Sequence, residues 1–152
     1  MKRTLSVVSA LAVLAALAIV ATTSKHSVPP VYAQSGCTDA TLTGNYGFDF
    51  NGFTSAGREP QSPATRPLAV VGVATFNGAG SFSTAYTISF AGNVTQGVQD
   101  IGTYIVNADC TGSSTDTTAG LHFNFVILGG GAEVFLIQTD AGNATTGVSR
   151  KQ

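Results

Sequence analysis

Ser81-Phe82-Ser83-Thr84-Ala85-Tyr86-Thr87-Ile88-Ser89-Phe90 alternates without a break: Phe82, Thr84, Tyr86, Ile88 and Phe90 fall on one side of an extended chain, small or hydroxylated residues on the other. A period of two in aromatic and β-branched residues is what a strand with one buried face requires. Asn77-Gly78-Ala79-Gly80 supplies turn chemistry just before it, and the apolar run 68–76 leads into that turn, so the two segments read as a hairpin. Upstream, Tyr46, Phe48 and Phe50 repeat the alternation against Gly47, Asp49 and Asn51. Further strands are expected near 98–107, 112–119, 121–128, 132–139 and 144–151, with Gly129-Gly130-Gly131 joining 121–128 to 132–139. About eight short strands at close spacing predict an all-β fold, an antiparallel meander closed into a barrel, with a two-sheet sandwich as the alternative. The one long connection, Thr54 to Pro67, holds Gly57, Pro60, Pro63 and Pro67 with Arg58 and Arg66, and reads as a mobile flap or a binding loop.

The first 33 residues have a different character. Lys2 and Arg3 precede an apolar stretch from Leu5 to Ala21, and a polar segment ends at Val31-Tyr32-Ala33, the pattern of a secretory signal peptide cleaved after Ala33 or nearer Ala21. An uncleaved anchor is the alternative. Residues 34–152 then form a single β-barrel domain placed outside the cell, in the periplasm or on the cell surface, and no stretch within them approaches a membrane span. That domain carries four basic residues (Arg58, Arg66, Arg150, Lys151) against eight acids, a net charge of −4, which argues against nucleic acid or anionic lipid as partner. Its two cysteines, in an oxidising compartment, read as one disulfide, Cys37–Cys110. Lipid attachment at Cys37 is disfavoured because Gln34 stands where an aliphatic residue is expected. Two distant cysteines and, within residues 34–152, a single histidine, His122, offer no metal-ligand spacing, and the glycine turns lack the strand-turn-helix setting of a phosphate loop, so no metal or cofactor is expected.

Few side chains remain for chemistry. If the three glycines 129–131 form the whole loop, Ile127 pairs with Glu133, Phe125 with Phe135 and Phe123 with Ile137, while Val126 meets Val134, Asn124 meets Leu136 and His122 meets Gln138. In that register Glu133 sits at the rim of an aromatic face, where desolvation would raise its pKa, or else it is a solvated strand end. His122 is the one histidine available to a Ser-His-Asp arrangement, and otherwise a strand histidine bonded to Gln138. Asp49 is expected outside, and Asp100, Asp109, Asp116 and Asp140 are expected near turns. The strand aromatics, Tyr46, Phe48, Phe82, Tyr86, Tyr104 and Phe135 among them, line a pocket for an apolar ligand or fill the core. Both faces of 121–139 are largely apolar in this reading, which leaves one to be covered by another sheet, by the long loop or by a second copy in a homo-oligomer.

Leu42-Thr43-Gly44-Asn45-Tyr46-Gly47-Phe48, Phe76-Asn77-Gly78-Ala79-Gly80-Ser81-Phe82-Ser83 and Gly102-Thr103-Tyr104-Ile105-Val106 leading into Asp109-Cys110-Thr111-Gly112 together resemble a group of small secreted bacterial proteins of unknown function, usually a signal peptide followed by one β domain. The strand pattern is also similar to barrels of the allene oxide cyclase and dirigent kind and to lipocalins, an architectural similarity without a catalytic motif to carry over. The leading expectation is a secreted, non-enzymatic β-barrel that binds a small apolar ligand or takes an extracellular or surface structural role. The alternatives are a barrel isomerase or cyclase with Glu133 as acid/base and Tyr46 or Tyr104 orienting the substrate, and an adhesin or filament subunit.

Overall fold

The computed structural model describes residues 36–55 and 65–152, so the expected signal peptide and the centre of the Thr54–Pro67 connection lie outside the described residues. Eight antiparallel strands follow one another around a closed barrel: β1 (Thr43–Thr54), β2 (Arg66–Asn77), β3 (Ser81–Phe90), β4 (Asn93–Val106), β5 (Thr111–Asp116), β6 (Leu121–Leu128), β7 (Glu133–Gln138) and β8 (Asn143–Lys151). Closure comes from β8 pairing with β1, with Phe50 opposite Gly147 and Phe48 opposite Ser149, which leaves no sheet edge and rules out the sandwich. The alternation read from the sequence holds: Tyr46, Phe48 and Phe50 on β1 and Phe82 to Phe90 on β3 present their even-numbered side chains to the interior.

One end of the barrel is plugged by its own N-terminal segment. A 3₁₀ turn, Asp39–Thr41, leads into Leu42, which with Tyr46 is fully buried, and around them pack Tyr104, Phe125, Ile127 and Val134. Hydroxyl and carboxylate groups lock the plug in place. The Tyr104 hydroxyl donates to the carbonyls of Asp39 and Leu42, at 3.0 Å each, the Val106 amide donates to the Asp39 carboxylate at 2.8 Å, and the Tyr46 hydroxyl donates to the Gly131 carbonyl at 2.7 Å. The expected disulfide is present between Cys37 and Cys110, tying the segment to the β4–β5 turn.

Directly opposite several inward aromatics stand glycines on the neighbouring strand: Phe82 faces Gly102, Phe125 faces Gly112 and Phe50 faces Gly147. A Cβ on Gly102 would lie 2.3 Å from the Phe82 ring, and one on Gly112 would lie 2.3 Å from the Phe125 ring. The Phe82 and Phe125 rings therefore lie over bare backbone of the neighbouring strand, whereas Phe50 reaches Phe123, three strands away around the barrel, with ring centroids 5.5 Å apart. An eight-stranded barrel is just wide enough for side chains to fill it or for one small ligand.

The structure corrects the register of the β6–β7 hairpin. Its loop has four residues, Gly129 to Ala132, because three successive glycines in the left-handed region (φ 57°, 66° and 98°) coil the chain and the Ala132 amide returns to the Leu128 carbonyl at 3.1 Å. Leu128 consequently pairs with Glu133 and Val126 with Phe135. A slip of one residue turns every β7 side chain over: Val134, Leu136 and Gln138 face the lumen, while Glu133, Phe135 and Ile137 face outward. Strand β4 is also longer than expected, starting at Asn93, because Ala91 and Gly92 both adopt positive φ (50° and 86°) and make a two-residue hairpin turn.

Candidate functional site

Above the plug lies a cavity of about 320 Å³. Its wall is built mainly of Phe48, Phe50, Phe76, Phe82, Phe123 and Phe125 together with Leu68, Val70, Ile88 and Leu136, and it extends to Phe90 and Leu121 at the end of the barrel where the β1–β2 connection departs. Ring pairs lie edge to face across it, Phe50 with Phe123 at 5.5 Å and Phe48 with Tyr86 at 6.4 Å between centroids.

Into this apolar wall the sheet sets two carboxylates. Asp100, on β4, and Asp116, at the end of β5, are 6% and 9% exposed, and both line the cavity. They share one side because Gly102 pairs with Asp116, which brings the residue two before Gly102 next to the end of β5. The Tyr86 hydroxyl, from β3, donates to Asp100 Oδ2 at 2.5 Å. One oxygen of Asp116 accepts the amides of Thr118 and Ala119, both at 2.9 Å, closing the turn into β6. Burial pushes the Asp116 carboxyl above the usual carboxylate range, and the facing Asp100 adds to the rise. Burial likewise raises Tyr86, and the carboxylate it bonds holds its proton more firmly still.

Of the remaining polar groups of the wall, Thr54 and Gln138 are hydrogen-bonded, whereas the hydroxyls of Thr84, Ser114 and Ser149 carry no side-chain hydrogen bond among the described residues. Thr145 donates to Gln138 Oε1 at 2.8 Å, and the Gln138 amide nitrogen donates to Asp140 at 3.0 Å. Among the described residues lining the cavity there is no Lys, Arg or His.

The four residues singled out from the sequence are not brought together. Glu133 lies on the outer surface at the plugged end, where its Oε1 receives the Arg150 guanidinium at 2.8 Å, and so it does not sit on the aromatic face. His122 is also outside, at the opposite end, its ring 2.7 Å from Asp140 rather than on Gln138. Asp140 is held down to about 2, first by the His122 backbone amide and then by the Gln138 side chain. Tyr46 and Tyr104 are inside, but the Tyr46 hydroxyl is spent on the Gly131 carbonyl of the β6–β7 loop and the Tyr104 hydroxyl on the plug. Burial raises both phenols. Asp100 corrects another expectation, since it lies within β4 and not at a turn.

The signal for Asp100 is in the sequence. Val98, Asp100, Gly102, Tyr104 and Val106 alternate against Gln99, Ile101, Thr103 and Ile105, so Asp100 shares the face of Tyr104. For Asp116 no such signal exists, because its turn position explains it equally well until strand pairing sets it beside Asp100.

Outside the barrel, Val126, Phe135 and Ile137 form an apolar row, 38%, 42% and 50% exposed, with Phe135 paired to Val126 on one side and Val148 on the other. No metal-ligating group of three or more His, Cys, Asp or Glu occurs among the described residues, and no helix there is long and apolar enough to cross a membrane. Comparison of the chain with protein-family models, with curated proteins and with solved structures returned no match.

Proposed function

We propose that this protein is a secreted β-barrel that binds a small apolar ligand in its lumen. The observation that carries the reading is the cavity of about 320 Å³ walled by aromatic and aliphatic side chains. Such a volume matches that of small-molecule sites, and burial of an apolar molecule there yields roughly 25 cal/mol for each Å² removed from water. The lumen-facing glycines Gly102 and Gly112 support it, because the Phe82 and Phe125 rings lie over them and take up less of the lumen. The Cys37–Cys110 disulfide supports an oxidising location.

An uncharged naphthyl fluorophore, N-phenyl-1-naphthylamine, tests the reading directly. It is expected to bind the disulfide-bonded protein at one site with a blue-shifted, enhanced emission. Ile88→Trp, which fills the lumen, abolishes that signal, whereas Phe135→Thr on the outer row leaves it intact. The opposite pattern of sensitivity would place the apolar site outside the barrel and refute the proposal.

A second reading, a barrel isomerase or cyclase, gains from one observation: Asp116, raised above the usual carboxylate range beside Asp100 and Tyr86, is a better acid/base group than any residue chosen from the sequence. Turnover of an apolar substrate that disappears in Asp116→Asn, with probe binding retained, would select this reading.

A further inference from the structure

The lumen is apolar but not neutral. Its charged groups, among the described residues, are the two acids Asp100 and Asp116, and no cation on the wall balances them. In surroundings of low dielectric, two facing carboxylates repel, and either a proton or a cationic partner relieves the repulsion. The wall offers hydrogen-bond donors and acceptors alike, since the hydroxyls of Thr84, Ser114 and Ser149 line it without a side-chain hydrogen bond among the described residues, so what distinguishes one occupant from another is charge. The Tyr86 hydrogen is committed to Asp100, and the Gln138 amide is committed to Thr145 and Asp140. Carboxylate oxygens have about four lone-pair sites between them, so Asp100 and Asp116 keep acceptor capacity beyond the bonds already made. Aromatic side chains flank the pair, Phe82 opposite Gly102 and Phe123 opposite Ser114, and aromatic rings tolerate an ammonium group where aliphatic walls do not.

Resting on the lumen-binding reading, we infer that the occupant is a small amphipathic amine, its aryl or alkyl body in the Phe48, Phe50 and Leu136 part of the cavity and its ammonium group between Asp100 and Asp116. The volume sets the size: 320 Å³ is the space of about ten liquid waters, enough for a compact amine with a single ring or a short chain. The same charge pattern works against the other common class of apolar ligand. A fatty acid or another carboxylate would bring a further acidic group against the pair, an arrangement that discriminates by repulsion.

Three size-matched compounds decide it: 4-phenylbutylamine, 4-phenylbutanol and 4-phenylbutyrate, each displacing N-phenyl-1-naphthylamine from the disulfide-bonded protein near pH 8. The amine is expected to bind about tenfold tighter than the alcohol, and the carboxylate more weakly than either. In Asp100→Asn/Asp116→Asn the amine loses that advantage while the alcohol binds as before. The wild-type series stands alone should the double variant fail to fold. Equal binding of amine and alcohol, or tightest binding of the carboxylate, overturns the inference and leaves the lumen reading standing. Failure of all three to displace a bound probe has the same meaning, whereas a probe that never binds removes both.

Discussion

Asp116 serves two purposes at once, capping the amides of Thr118 and Ala119 and standing in the cavity wall against Asp100. Because its folded-state pKa lies above the ordinary aspartate value, its protonated form favours the fold: that contribution is fully present below the unfolded pKa and is lost as pH rises through the folded one. Asp116→Asn keeps a carbonyl oxygen for the two amides and removes the charge. Its melting temperature is therefore expected to exceed that of the wild type at pH 7 and to converge with it near pH 3.5, read by thermal unfolding across that range. A difference that does not change with pH would show that charge is not what the substitution relieves. At this scale Asp100 was legible, since alternation along β4 puts it on the face of Tyr104, while Asp116 was not. Asp is equally at home in the turn Asp116 closes and in the wall it lines, and only pairing with the neighbouring strand separates the two settings.

The β6–β7 hairpin shows what one residue of loop length controls. The strands themselves follow from their β-branched and aromatic content, and 121–128 is where the sequence places β6. Register is different. Gly-Gly-Gly is compatible with a three-residue loop or a four-residue one, and both strands are apolar on both faces, so hydrophobic pattern cannot choose between registers. The fourth loop residue is accounted for by contacts that are remote in sequence: Gly131 abuts the Thr41 carbonyl, its own carbonyl receives the Tyr46 hydroxyl, and the Ala132 carbonyl receives the Lys151 amide at 2.9 Å. A pair of substitutions reads the register in solution. Val134→Ala, at 4% exposure, is expected to cost about 1–3 kcal/mol in urea unfolding, whereas Phe135→Thr stays within about 0.5 kcal/mol of wild type. A reversal of those costs would restore the three-residue loop and carry Glu133 back to the aromatic face.

At the scale of the whole molecule, the barrel and its plug depend on one covalent link across 73 residues of chain. For a loop of that length the chain-entropy treatment gives about 4 kcal/mol of stabilisation through restriction of the unfolded state. Cys37→Ser/Cys110→Ser is expected to lose an amount of that order in chemical denaturation, and a loss under about 1 kcal/mol would mean that the plug is held by its packing and hydrogen bonds without help from the disulfide. The sequence by itself determined the strand content, which aromatic residues share a face on β1 and β3, the meander and the disulfide, because period-two alternation, glycine turns and a lone cysteine pair are local or countable properties. Tertiary structure alone decided the β7 register, which of two apolar faces became the lumen, and the meeting of Asp100 with Asp116. Those outcomes rest on cross-strand pairing and barrel closure, where residues far apart in the chain compete for the same space and the hydrogen bonds of one loop settle the orientation of a whole strand.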